Sequence, residues 1–483
     1  MGLLSLLYHY SSIIILKAEY VPVAFSDHLS LVIRVKIPAQ LSRLRSPQSK
    51  PLFKANPEVV VDDIFQARLK EAFENWSEIK NRRVDVLTWW ELLVKPGIRK
   101  LLIERGKEMC KERRGLLNLL LLRQSYLVKK IQSGKMSLLG DLKTVQNQIQ
   151  QWYKDDCEKI KLQARAEEFN KSEGVRIYHH ELHAKKIKRT SIIKLDTGST
   201  ILTGHRECAE HLEQSVSDLL LHPASLSEAA QQELLQEVKP VFTEADNALL
   251  KSFPTKKEVK ESVWSSNLHA APGNDGLTSF VYYSCWDTIG EALTEVVQAI
   301  HRGDHPTWSQ RTSLMMFGTK PKKGSSIKVC DKRRLSQLNS DFKVITGIEN
   351  GRFKQTATHT LSHCQLAVGN DRRVHHGINT ARDAITVASG SREGVEILDN
   401  DYKAAFDFMV LYWVLKVLKA KGLDQAVIDR LTRLYSNNFT IVVVNNLLGK
   451  CIPNNYMSIR QGDRPSSILF CFGIDPHLIW LEP

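Results

Sequence analysis

Two short β-rich runs constrain this chain most: "SLMMF" at Ser313–Phe317 and "TIVVVN" at Thr440–Asn445. The text around them is long enough for helices of about ten residues or more, and strands interleaved with such helices point to an α/β or α+β domain. Ahead of the first run, the stretch beginning at Phe253, "FPTKKEVKESVWSSNLHAAPGNDGL", reads as a helix followed by a Pro-Gly-Asn-Asp-Gly turn. The last domain boundary is placed just before it.

Upstream the pattern changes. From about residue 55 to 240 the chain is charged and helical, and Leu138, Leu142, Val145, Ile149 and Trp152 recur at steps of four and three on one face. That spacing predicts helix-on-helix packing, with a short coiled coil as the alternative. The first forty residues end in "SDHLSLVIRVKIP", where Leu31, Ile33, Val35 and Ile37 alternate with Val32, Arg34, Lys36 and Pro38. Period two predicts a strand, with too little chain nearby to complete its sheet. The apolar stretch Leu3–Leu16 lacks a charged start and is shorter than the roughly 18–20 residues that span a bilayer. It reads as buried core, with a signal peptide as the alternative, and no membrane association is expected.

The chain has 483 residues, 42% of them hydrophobic, and a net charge of +14 with a pI near 9.3. That surplus makes a polyanion the first partner to consider, and a basic surface without a partner the second. Basic clusters ("NRRVD", "KERRG", "HAKKIKRT") either follow phosphates or solvate helix faces. The eight cysteines include no Cys-x-x-Cys pair, which excludes a zinc ribbon or disulfide framework legible from spacing and favours cytoplasm or nucleus.

Three constellations carry chemistry. Nucleotidyl transfer uses two metal ions about 3.5–4 Å apart on oxygen ligands. In "EILDNDYKAAFD", Ile397 and Leu398 lead to Asp401 at a strand end, with a helix over Lys403–Lys421 to follow; an Asp before a helix is also a routine N-cap. In "MMFGTKPKKGSSIKVCDKRRLSQLNSDFK", Met315–Lys343, a hairpin would bring Lys320 and Arg333 onto a triphosphate, or be a basic exposed hairpin only. In "SIRQGDRPSS", Ser458–Ser467, a Gln-Gly pair entering a helix lets backbone approach a flat substrate closely.

The ordered series "APGNDGL…YYSCW", "DKRRLSQLNSDFK", "CQLAVGNDRRVHHGIN", "DYKAAFD" and "SIRQGD" resembles the reverse transcriptase of non-LTR retrotransposons of the long-interspersed-element type. "FSDHLSLVIRV" resembles the last strand of the exonuclease-endonuclease-phosphatase fold that such elements encode upstream. The resemblance implies an α+β fold, with right-hand polymerase fingers and partial palm preceded by a mainly helical linker. Its domains would be an endonuclease remnant at 1–40, a basic helical linker at 41–252, and fingers with partial palm at 253–483. It implies Mg2+, dNTPs, an RNA template and a DNA primer, and no protein partner is evident. Residue by residue, Asp401 matches the first metal-binding aspartate, with the carbonyl of Tyr402, a substrate-binding position, available as a neighbouring ligand. Phe406 matches the aromatic that crowds the sugar 2′ position, and Asp407 a scaffold position at the helix start. Lys320 and Arg333 match the residues holding the incoming triphosphate. Arg460, Gln461 and Gly462 match the loop beside the nascent base pair, and Gln365 and Arg373 match template contacts. His28 matches the endonuclease histidine, oriented by Asp27.

The sequence departs from the family pattern in carrying no Ala-Asp-Asp triplet, whose aspartates complete the family's metal site. It also has Arg464-Pro465 where the family has Pro-Leu, and "RRLSQLN" in place of Arg-Pro-Ile-Ser-Leu-Leu-Asn. The expectation is a reverse transcriptase by descent, truncated at both ends and inactive as this polypeptide. A non-catalytic RNA-binding remnant or domesticated product is the alternative.

Overall fold

The computed structural model describes residues 14–22, 29–36, 52–80, 84–164, 192–221, 227–319, 326–368, 372–390, 405–454 and 459–481. By packing, the chain divides into two units, residues 1–49 with 106–191 and residues 50–105 with 192–483. The architecture is helix-rich α+β, as the interleaving of strands and helices predicts.

In the first unit, β1 (Ile14–Pro22) pairs antiparallel with β2 (Leu29–Lys36), Tyr20 opposite Leu31 and Ala18 opposite Ile33. The strand expected at Leu31–Ile37 therefore exists, but it does not lack a partner. Helix α1 (Lys95–Gln132) contributes its residues beyond Arg105, and after Gly134, at φ 98°, the chain returns as α2 (Leu139–Ala164). The predicted stripe is the seam of this hairpin: Val145 and Ile149 are buried with Leu127, and Leu138 and Leu142 pack beside them.

The second unit is organised by a sheet of four strands in the order β6-β5-β7-β8. Here β3 (Lys194–Asp196) and β4 (Ile201–Thr203) form a small hairpin leading into α3 (His205–Leu221). Cys208, Leu212, Val216 and Leu220 of α3 recur every four residues, so they form one face. Helices α4 (Lys256–Trp264), α5 (Ser279–Ser284) and α6 (Trp286–Arg302) precede β5 (Thr312–Thr319) and β6 (Lys332–Gln337), which are antiparallel. Then come α7 (Ser340–Thr360), α8 (Val374–Gly390), α9 (Leu411–Ala420) and α10 (Gln425–Tyr435). Strand β7 (Asn438–Val444) lies parallel to β5 and antiparallel to β8 (Leu447–Asn454), and α11 (Ser466–Trp480) follows. The face of α3 packs on Met315, Val442, Val444 and Ile452, which buries one side of the sheet.

Local chemistry explains the connections. The β7–β8 turn places Asn445 and Asn446 at φ 53° and 66°, a left-handed pair whose twist suits a tight hairpin and which asparagine tolerates. Helix α4 starts with a reciprocal capping box between Thr255 and Glu258. Among the described residues no helix is long and apolar enough to cross a membrane, and the seven cysteines whose side chains are described form no disulfide.

Candidate functional site

Three stretches far apart in sequence meet beside β6. On β6 itself, Arg333 is exposed and pairs across the ladder with Gly318, which offers no side chain against it. Its neighbour Arg334 donates to Asp407 Oδ2 at 3.0 Å. Burial pushes the Asp407 carboxyl above its ordinary range, while the Arg334 guanidinium pulls the other way. Asp407 therefore ties its short helix, Ala405–Phe408, to the hairpin. Lys320, Asp401, Tyr402, Asp27 and His28 lie outside the described residues.

The single helix expected over Lys403–Lys421 is instead two. Ala405–Phe408 ends, Val410 takes extended backbone, and α9 begins at Leu411. The break has a partner: the Met409 carbonyl accepts the Ile459 N–H at 3.2 Å, across some fifty residues of chain. Trp413 donates its indole N–H to the Gly473 carbonyl at 2.7 Å, and a Cβ on Gly473 would meet Met409 Sδ at 2.5 Å. A side chain at 473 would have to displace the Met409 thioether, so glycine lets α11 lie against this break as it stands. Phe406 packs on Phe470 with ring centroids 5.3 Å apart.

The Arg460–Arg464 loop joins these parts to β6. Gln461 accepts the Ser336 N–H at 2.8 Å. Gly462 sits at φ 118°, and a Cβ there would lie 2.4 Å from the Ser336 carbonyl oxygen, so both conformation and space require glycine. Asp463 is buried and accepts from Thr346 Oγ1 at 2.7 Å, from the Tyr435 hydroxyl at 2.9 Å and from the Arg464 N–H at 2.9 Å. Burial, with Asp463 beside it, raises the Tyr435 phenol well above its ordinary value. Arg460 is buried too, its guanidinium 5.0 Å from the Phe342 ring and 5.5 Å from the Tyr435 ring. Its three side-chain nitrogens make no hydrogen bond, and Asp463 stands 3.8 Å away. Burial lowers its pKa.

The two candidate template contacts differ. Gln365 is buried, and its side-chain oxygen accepts the Ala367 N–H at 3.3 Å. Arg373 is exposed. Arg372 is the structural arginine here, donating to the carbonyls of Leu361, Gln365 and Thr358.

A polar cluster that the sequence did not announce joins residues 90–95, 275, 309–310 and 341. Lys95 Nζ is buried, 2.6 Å from Ser309 Oγ, 2.9 Å from Asp275 and 3.2 Å from Asp341, with Glu91 at 3.6 Å. Asp341 Oδ2 also accepts from Trp90 Nε1 and Gln310 Nε2, each at 3.0 Å. The π-turn Trp90–Val94 carries Glu91 and ends at Lys95; Pro96, lacking an N–H, cannot make the next helical bond. Burial opposes the charge on Lys95, yet the carboxylates hold its pKa above the ordinary value. Burial also pushes Asp275 up, against the pull of Lys95. The cluster thus joins the "PGNDG" turn to the start of α7.

The chain resembles a transposon protein. Over 95% of its length it is 22% identical to the Transposon TX1 uncharacterized 149 kDa protein of Xenopus laevis. It spans about a third (34%) of that protein's own length. No family model matches the chain. This distant similarity supports descent from a transposable element.

Among the described residues no group of three His, Cys, Asp or Glu is placed to hold a metal ion. Asp407, the carboxylate at the meeting point, is engaged by Arg334.

Proposed function

We infer that this polypeptide carries the fingers and part of the palm of an RNA-directed DNA polymerase of a non-LTR retrotransposon. What supports this is convergence. The Arg334–Asp407 pair, the Ser336–Gln461 bond and the Ile459–Met409 bond bring the β5–β6 ladder, the Ala405–Met409 stretch that ends "DYKAAFDFM" and the "RQGD" loop to one place. Those are the three stretches that sequence reasoning assigned to one site, and the similarity to a transposon protein agrees with them. In this reading Arg333 and Lys320 hold the triphosphate of a dNTP, Phe406 screens its sugar, Asp401 binds Mg2+ with Tyr402 adjacent, and Gln461 and Gly462 lie beside the nascent pair. Gln365 and Arg373 flank the RNA template, and His28 belongs to the endonuclease end. The reading places the product in cytoplasm and nucleus. With one such aspartate and no Ala-Asp-Asp triplet in the sequence, the 483-residue polypeptide alone binds template and primer without extending the primer.

The test combines two measurements on the purified polypeptide. An RNA–DNA template–primer should bind with an affinity that falls steeply with salt, and a photoreactive dNTP should crosslink less to Arg333→Ala than to the wild type. Primer extension in Mg2+ should be absent. Failure to bind the hybrid refutes the polymerase reading, and dNTP incorporation abolished by Asp401→Ala refutes the inactivity alone. A non-catalytic RNA-binding role is left if RNA binds but dNTP crosslinking does not depend on Arg333.

A further inference from the structure

Outside the converging motifs, α4, α5 and the start of α6 build an exposed aromatic surface. Trp286 lies flat on its own helix because residue 290 is glycine, where a Cβ would approach the indole to 2.7 Å. Trp264, ending α4, stands edge-on to Trp286 with centroids 5.5 Å apart at 89°. Tyr283 leans on Trp264 at 4.7 Å and 50°, and Phe280 lies nearly parallel to Tyr283 at 6.5 Å and 18°. Rings wedged in this way are fixed in orientation, yet Trp264 is 40% and Tyr283 37% exposed.

The rim is cationic on the α4 side. The Lys260 ammonium lies 5.0 Å from the Trp264 centroid and forms no ion pair among the described residues. Lys257 has an 86% exposed side chain, with the Glu261 carboxylate only at 3.9 Å. Lys256 is paired with Glu291 at 2.6 Å. The same helix end is fastened to the "RQGD" loop: Arg464 donates to the Ser262 carbonyl at 3.0 Å and to Ser266 Oγ at 2.6 Å.

We propose that Trp264 and Tyr283 are a stacking platform for an unpaired base of single-stranded nucleic acid, with Lys260 and Lys257 meeting the adjacent phosphates. The proposal rests on the nucleic-acid reading above and deepens it. Every base has a π-face, so fixed half-exposed rings hold a strand without reading its sequence, and lysines beside them follow its backbone. Protein interfaces are depleted of lysine at their centres, whereas here Lys260 stands over the central ring, which favours a polyanion.

The experiment titrates a fluorescent oligouridylate with the full 483-residue polypeptide and reads anisotropy over a range of salt. Trp264→Ala should weaken binding roughly 5- to 150-fold, and Trp264→Phe should recover most of it. Lys260→Met should reduce the salt slope by about one phosphate contact. Circular dichroism melts matching the wild type exclude misfolding, and Lys260→Met keeps the test decisive if Trp264→Ala does not fold. Wild-type affinity in Trp264→Ala and Tyr283→Ala, with the slope unchanged in Lys260→Met, overturns the platform and leaves the nucleic-acid reading standing. No binding by the wild type overturns that reading together with the platform. A dimeric wild type that becomes monomeric on Trp264→Ala also overturns the platform, assigning the rings to contact between copies.

Discussion

Lys95→Met removes the cation from a buried group that holds Asp275 at 2.9 Å, Asp341 at 3.2 Å and Glu91 at 3.6 Å. Methionine replaces most of the stem, so the cavity is small and the loss is electrostatic. Asp341 keeps Trp90 and Gln310 as donors, whereas Asp275 loses its cationic neighbour altogether. Removing one partner of a buried ion pair costs about 3–5 kcal/mol, because a charge is left behind in low dielectric. At about 4 kcal/mol, opening of the affected segments should become roughly a thousandfold more frequent. Hydrogen exchange read by mass spectrometry on peptides covering 86–105, 272–277, 307–312 and 338–345 measures this directly.

The sign of its pH dependence follows from Asp275. Burial already raises this carboxyl in the wild type and Lys95 opposes the rise, so losing Lys95 lifts it further. A carboxyl whose pKa is higher folded than unfolded binds its proton more tightly in the fold. Stability then falls as pH climbs from the unfolded value through the folded one. The deficit of Lys95→Met should therefore be smaller at pH 5 than at pH 8, and adding Asp275→Asn should recover part of it at pH 8. Exchange within a few-fold of the wild type in all four segments, or an equal deficit at both pH values, refutes the assignment of Lys95 as the charge that balances this cluster.

Four further substitutions, in three experiments, probe the joints. Gly462→Ala meets both the φ of 118° and the Ser336 carbonyl at 2.4 Å, so it should destabilise by about 2 kcal/mol or more, seen as a lower urea midpoint and lost protection at Ser336. A double-mutant cycle on Arg334→Ala and Asp407→Ala should give a coupling of about 1–2 kcal/mol, above that of a solvent-exposed pair, since the side chains are only 21% and 18% exposed; zero coupling refutes this contact as a joint. Asn445→Ala loses the left-handed preference and the paired bonds to Ile192 at 2.8 and 2.7 Å, so residues 192–204 should exchange faster, by about 2 kcal/mol of opening energy.

The strands were the legible part. "TIVVVN" reads as a continuous apolar run because β7 is buried between two neighbours, and β5–β6 reads as a hairpin because a Lys/Gly/Ser loop separates its halves. The break at Met409 was not legible, since nothing between Lys403 and Lys421 interrupts a helical pattern. What decides it is the Ile459 N–H and the absent Cβ of Gly473, both distant in sequence. Lys95 was hidden for the same reason: in "LLVKPGIRK" it looks like any solvated lysine, and its carboxylate partners come from residues 275 and 341. The one local signal was Pro96, which marks the irregular turn before it.

The "RQGD" loop shows how a motif and its geometry divide the labour. Gln461 acts through its carbonyl on Ser336, Gly462 through the side chain it lacks, Asp463 through three accepted hydrogen bonds, and Arg464 through Ser262 and Ser266. Each of these interactions fastens one element to another, and together they join β6, α7, α10 and α4. Arg460 is the exception, a guanidinium stacked between Phe342 and Tyr435 with no hydrogen bond. Burying it that way is costly, and replacing a buried charge by an apolar group of similar size is often neutral or stabilising. To touch a base pair, Arg460 has to leave this stack, which frees the Tyr435 and Phe342 rings and loosens the loop. Under the proposed polymerase function, substrate contact by Arg460 and rigidity of this joint are opposed through one side chain, whereas Arg333, exposed opposite Gly318, can meet an anion with the joint intact.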